Sequence, residues 1–191
     1  MSPDKSSIGP ALLLVDIQLA LRDTGFYGTE RNNEDAEANA ARLLKVFRDR
    51  SWPVFHVFHD STNPESPLFP GKPGHAINPL VEPLEGEPVF RKTVNSAFIG
   101  TDLEAQLHEA AVNKLVIVGL TTEHCISTTT RMAANLGFSN ILVSDATAAF
   151  DKEAKDGGRH AAELVHEISL ATLNDEFAEV VDTNSLIQRL S

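Results

Sequence analysis

The chain has 191 residues, 42% of them hydrophobic and 23% charged, which is enough for one substantial core and too little for two comfortable domains, so one domain over residues 1–191 is expected. With 16 Lys and Arg against 27 Asp and Glu, the formal charge of −11 repels nucleic acid over most of the surface. No apolar run approaches the ~20 residues that span a bilayer, and the MSPDKSSIGP start lacks the regions of a signal peptide, so a cytoplasmic protein with no membrane partner is expected.

Ala11 to Val15 is an unbroken apolar run ending on Asp16, the pattern of a strand buried on both faces that delivers a carboxylate to its carboxyl end. Gly25 and Gly28 bracket Phe26 and Tyr27, which suggests an aromatic loop able to line a pocket. From Asn33 to Arg50 the apolar residues Ala36, Ala40, Leu43, Leu44 and Phe47 fall at helical spacing, with acids early and bases late. Pro53 to Phe58 follows as a second strand, so the order implies a right-handed parallel unit.

His59 to Glu87 holds most of the prolines and no sustained periodicity, as in a lid or binding loop; its Leu68, Phe69 and Ile77 suit either an interface between copies or packing on their own subunit. Phe69, Phe26 and Tyr27 are candidates for shaping a pocket. Val89 and Phe90 make a short third strand, with Lys92 just beyond, and Thr101 to Ala111 is a helix. Leu115 to Val118, bounded by Gly119, is a central strand. Thr121, Thr122 and Glu123 then supply N-cap and first-turn residue types for a helix that ends at Gly137 and carries Cys125 in its first turn. Asn140 to Ser144 is a strand ending on Asp145, Gly158 to Leu173 a helix, and Phe177 to Asp182 the last strand. This alternation predicts an α/β protein with a mostly parallel sheet between helical layers.

Strand ends thus carry Asp16, Lys92 and Cys125, residue types that together suit acyl transfer. A helix N-terminus and the Lys92 cation are expected to lower the thiol pKa from about 8.5. Asp16 is then the base that takes the thiol proton and the acid that returns it, Lys92 orients the carboxylate, and the N–H groups of Cys125 and of the Gly119 to Thr122 turn stabilise an oxyanion. Each residue also has a plainer reading: Cys125 as a small core residue, Asp16 as a turn cap, Lys92 as a solvated charge. His56, His59 and His75 are close enough in sequence for a metal site, but no acid joins them at ligand spacing and none is assigned. His108, His160 and His166 are read as surface residues of helices.

These residues resemble the isochorismatase-like cysteine hydrolases, a family that includes nicotinamidases and carbamoylsarcosine amidases. The resemblance spans nearly the whole chain and rests on LLLVDIQ (12–18), KTVNSAFIGTDL (92–103), GLTTEHCISTTTRMAANLGF (119–138) and SDATAAF (144–150). It implies a three-layer α/β/α fold with six strands in the order 3-2-1-4-5-6. It also implies a catalytic triad of Asp16, Lys92 and Cys125, a cis Leu120–Thr121 peptide, and an oxyanion hole from the Thr121 and Cys125 amides. Two departures bear on substrate. HVFHDSTNPES stands where nicotinamidases carry an Asp-x-His metal motif, so neither metal nor cofactor is expected. Leu21 stands where relatives often have a substrate-stacking phenylalanine. Isochorismatases proper lack the cysteine, so Cys125 favours hydrolysis of a small-molecule C–N bond. A vinyl ether hydrolase and a non-catalytic binding relative remain as alternatives. The resemblance also implies a homodimer or homotetramer.

Overall fold

A computed structural model of the protein describes residues 9–190. Five parallel pairings join six strands, β1 (Ala11–Val15), β2 (Val54–His59), β3 (Val89–Lys92), β4 (Lys114–Leu120), β5 (Ser139–Ala148) and, after a short antiparallel ribbon of β6 (Lys152–Glu153) and β7 (Arg159–His160), β8 (Glu179–Val181). The sheet order is β3-β2-β1-β4-β5-β8, the expected 3-2-1-4-5-6 once the ribbon is set aside.

Both faces of the central strands are buried because the runs Ala11 to Val15 and Leu115 to Val118 are apolar at every position. Leu13 and Val15 join Leu115 and Ile117 in one cluster with Leu103 and Leu107 of α2 (Leu103–Glu109) and Ala133 of α3 (Ser127–Asn135). Leu12, Leu14, Val116 and Val118 face the other way, onto Ala40, Leu43, Leu44 and Phe47 of α1 (Ala36–Asp49). The result is helix, sheet, helix. Among the described residues no helix is long and apolar enough to cross a membrane.

Several local expectations are corrected. Cys125 does not lie in the first turn of a regular α-helix; it sits in a π-helical turn, Thr122–Ile126, that precedes α3. The helix expected from Gly158 begins later, as α4 (Ala162–Ala171), because the turn around Gly157 (φ 83°) folds Arg159 and His160 back onto Lys152 and Glu153. A further helix, α5 (Thr183–Leu190), follows β8; Asp182 caps it by accepting hydrogen bonds from the Ser185 amide and hydroxyl. Within the long loop Leu68 is buried, Ile77 packs against the α1 cluster, and Gln18 bridges to Ile77.

β5 is longer than expected and irregular. Against β4 its register jumps between Ile117 and Gly119, so Val143 to Ala146 bulge from the ladder. Asn33 Nδ2 donates to the Ser144 and Thr147 carbonyls and Asn39 Nδ2 to that of Asp145, supplying partners that the strand pairing leaves out. Asp145 Oδ1 in turn accepts from the amide and hydroxyl of Thr183 at the start of α5. Gly119, paired with Val15, has φ 130°, and a Cβ there would lie 1.9 Å from the Val15 carbonyl oxygen. Only glycine lets β1 and β4 approach this closely where both deliver their residues to the site.

Candidate active site

The carboxyl ends of β1, β3 and β4 meet at the floor of a cavity of about 320 Å³. Such a location, beside the point where the chain's progression across the sheet reverses, is where open α/β sheets place ligands. Asp16 follows β1 directly, in a left-handed conformation (φ 54°), with its amide bonded to the Val57 carbonyl. Lys92, the last residue of β3, is buried and reaches past the end of β2, where its strand partner is His59. Its Nζ lies 2.6 Å from Asp16 Oδ2, 3.1 Å from His59 Nδ1 and 3.2 Å from Cys125 Sγ. An ammonium has three N–H bonds, and here three acceptors surround it.

Asp16, Lys92 and Cys125, separated by up to 109 residues of chain (125 − 16), therefore touch through one ammonium. Asp16 Oδ1 is buried and has no hydrogen-bond partner. The Leu120–Thr121 peptide is cis, and Leu120, Thr121 and Cys125 all line the cavity.

The expected lowering of the thiol pKa is not met. Burial, and then the Asp16 carboxylate, push the Cys125 thiol well up, with Lys92 opposing them. The resting pair is thus a thiol beside a carboxylate. Moving the one proton from sulfur to Asp16 leaves the count of charges unchanged, because the Lys92 ammonium pairs with whichever partner is the anion.

His59 is the floor residue whose role the sequence left unassigned. Its position at the end of β2, between the strands bearing Asp16 and Lys92, was the available signal. Burial, with Lys92 next, lowers its pKa, as required of a neutral ring whose Nδ1 accepts from an ammonium. Gln18 holds this strand end, accepting from the His59 amide and donating to the His59 and His75 carbonyls.

The candidate metal histidines go to different places. His56 Nε2 lies 2.8 Å from Glu87 and His75 Nε2 lies 2.7 Å from Asp60, so acids do join them, as separate pairs. Among the described residues, Asp16, His59 and Cys125 form the one group whose donor atoms all lie within 4.8 Å of one another. Lys92 Nζ bonds to all three of those residues, so this donor set already holds a cation and fits no metal while Lys92 stays there.

His166 is a correction of another kind. It is buried, with Nδ1 2.8 Å from Thr122 Oγ1 and Nε2 3.2 Å from Asn33 Nδ2, so it ties the Cys125 turn to the β5 bulge. His160 lies in β7 and not on a helix, and is exposed, as is His108.

The cavity walls come from loops. Leu21 and Leu68 are apolar walls, and Phe26 stands edge-on to Tyr27, ring centroids 5.0 Å apart. Tyr27 rests on Phe150, and its hydroxyl meets Ser66 Oγ at 3.1 Å. Phe69 is not in the wall; its neighbours Leu68 and Ser66 are. Ser61, Asn63, Asn95 and His124, unassigned from sequence, complete the rim.

An α/β sheet with acid, ammonium and thiol converging at its strand ends defines a hydrolase class, and comparison gives the family. The family model described as the isochorismatase domain matches residues 10–185. The chain is 46% identical over 177 residues to the Bacillus subtilis isochorismatase family protein YrdC, covering 93% of this chain and 94% of that one. It is 27% identical to the maleamate amidohydrolase of Pseudomonas putida, over 95% of this chain and 86% of the relative. A solved isochorismatase-family structure from Chromobacterium violaceum superposes with a TM-score of 0.91 at 44% identity, covering 97% of this chain and 95% of the other. The chain belongs to the isochorismatase family of hydrolases.

Proposed function

We propose that the protein hydrolyses a C–N bond, amide, lactam or ureido, of a small molecule through a thioester on Cys125. The observation that carries this reading is the single Lys92 ammonium touching Asp16 and Cys125 together while Asp16 Oδ1 stands free, at the floor of an open cavity. Among relatives, one named as a maleamate amidohydrolase gives the same bond class.

As the Cys125 sulfur attacks the carbonyl carbon, its proton passes to Asp16. The oxygen becomes an oxyanion that the Thr121 and Cys125 amides receive. The C–N bond breaks as Asp16 returns the proton to nitrogen, leaving a thioester. A water then attacks, giving its proton to Asp16; the C–S bond breaks, the acid departs, and the sulfur recovers the proton. Lys92 stays charged throughout, which keeps the anion of each step paired.

The test is ammonia or amine release across a panel of amides, lactams and ureas, with mass spectrometry of the protein during turnover. Wild type should release the amine and carry an acyl adduct on Cys125. Undiminished hydrolysis by Cys125→Ala, or loss of activity on adding a chelator, would overturn the reading.

A further inference from the structure

We infer that the cavity selects uncharged substrates, small neutral amides or ureides, and rejects molecules that carry a carboxylate. This deepens the reading above and rests on Cys125 being the reacting group. Among the described residues that line the cavity there is no arginine or lysine. Lys92 lies beneath the floor, and its three N–H bonds already go to Asp16, His59 and Cys125. Of the cations on neighbouring elements, Arg91 is paired with Asp60, Lys152 with Glu123 and Arg159 with Asp151, while Arg22, next to the wall residue Leu21, is exposed and does not line the cavity.

Burial lowers the pKa of His59 and of His124, with Glu123 opposing it at His124, and raises that of Tyr27, which favours the uncharged form of each near pH 7. The one lining anion is Asp16, whose charge Lys92 balances. A carboxylate entering this space gives up hydration without finding a cation, a loss of kcal/mol scale, and approaches a chain of formal charge −11. A neutral polar molecule meets a matching surface. Ser61, Asn63, Asn95 and Thr121 offer hydroxyl and amide groups at the rim, with Leu21 and Tyr27 behind them. A cavity of about 320 Å³ lies at the small end of the ~300–1,000 Å³ usual for ligand sites.

The experiment uses the fact that the chain has one cysteine. Cys125 is alkylated at pH 7.5 with iodoacetamide and, separately, with iodoacetate, reagents of similar size that differ by one charge. Mass spectrometry follows each rate, and the ratio is divided by the ratio measured for free cysteine. Because the thiolate fraction is common to both reactions, it cancels. The expected outcome is an iodoacetate rate suppressed at least ~10-fold beyond the free-thiol ratio. Asn63→Arg, which adds a rim cation, should recover most of that factor. An ammonium free to receive a carboxylate would instead speed iodoacetate. A normalised ratio at or above one, or failure of both reagents to reach Cys125, overturns the inference. Alkylation needs no turnover, so a suppressed ratio beside an inactive protein would reject the hydrolase reading and leave the charge selection standing.

Discussion

The floor and the walls of the cavity are built in opposite ways. The floor is made of strand ends: Asp16 and His59 follow or close β1 and β2, which the sheet holds in register, Cys125 follows β4, and Lys92 closes β3 beneath them. The walls are loops, tied by contacts such as Tyr27 to Ser66 and by side-chain oxygens that accept backbone amides, Asn63 from Glu65 and Asp151 from Thr29. On the proposed reading, chemistry that needs positions good to a fraction of an ångström sits on the strand ends, and selection, which tolerates adjustment, sits on the loops. Floor changes should therefore act on turnover, and wall changes on substrate affinity.

The largest effect is expected at the floor. Cys125→Ala should reduce turnover of the best substrate to background while leaving the thermal midpoint within a few degrees, read by amine release and calorimetry. Asp16→Asn should slow acylation by ~10²–10⁴, the usual cost of a lost general base, as seen in single-turnover kinetics. Asn tolerates the left-handed backbone of this position, and its amide oxygen can still accept from Lys92, so the fold should persist.

Gly119→Ala tests the floor's support without touching a reacting group. The added methyl would meet the Val15 carbonyl at a backbone φ suited to glycine, so a loss of ~1–3 kcal/mol in urea unfolding is expected, together with lower kcat as β1 and β4 move apart. A stable, fully active Gly119→Ala would show that the two strand ends do not need this approach. At the wall, Tyr27→Phe deletes one hydrogen bond worth ~0.5–1.5 kcal/mol and should raise KM about 2–10-fold with kcat almost unchanged. A kcat loss larger than the KM change would erase the distinction between wall and floor.

The gentlest probe is pH. His56, His59 and His166 each have a pKa lowered from 6.5, in every case by burial first, with Lys92 adding to the effect at His59. The unfolded chain therefore binds more protons than the folded one just below pH 6.5, and stability falls as pH drops through the lowered folded values. Urea midpoints should be flat from pH 7 to 8 and decline below 6.5. Glu87 adds nothing in that window: although burial opposes it, Arg48 and neighbouring donors hold its pKa down to about 2.

Much of this was legible in one dimension. Runs such as Ala11 to Val15 are apolar at every position, which only a strand covered on both faces accommodates, and the alternation with helices then compels a parallel sheet. Once the sheet is parallel, residues just past the strands share one edge, so Asp16, Lys92 and Cys125 could be grouped without coordinates. α5 was legible too, in Asp182 capping Ser185 ahead of Leu186 and Leu190, although it went unassigned.

What the sequence by itself determined, then, was the layered sheet and the edge at which its reactive side chains gather, because hydrophobic periodicity and strand polarity are local properties of the chain. Only the tertiary structure decided the rest. The shared ammonium joins residues 33 to 76 positions apart, His166 becomes buried because Asn33 and Thr122 close around it, and the thiol stays protonated because burial outweighs the cation beside it. Those outcomes depend on which distant groups exclude water from one another, a property of packed space that no spacing along the chain encodes.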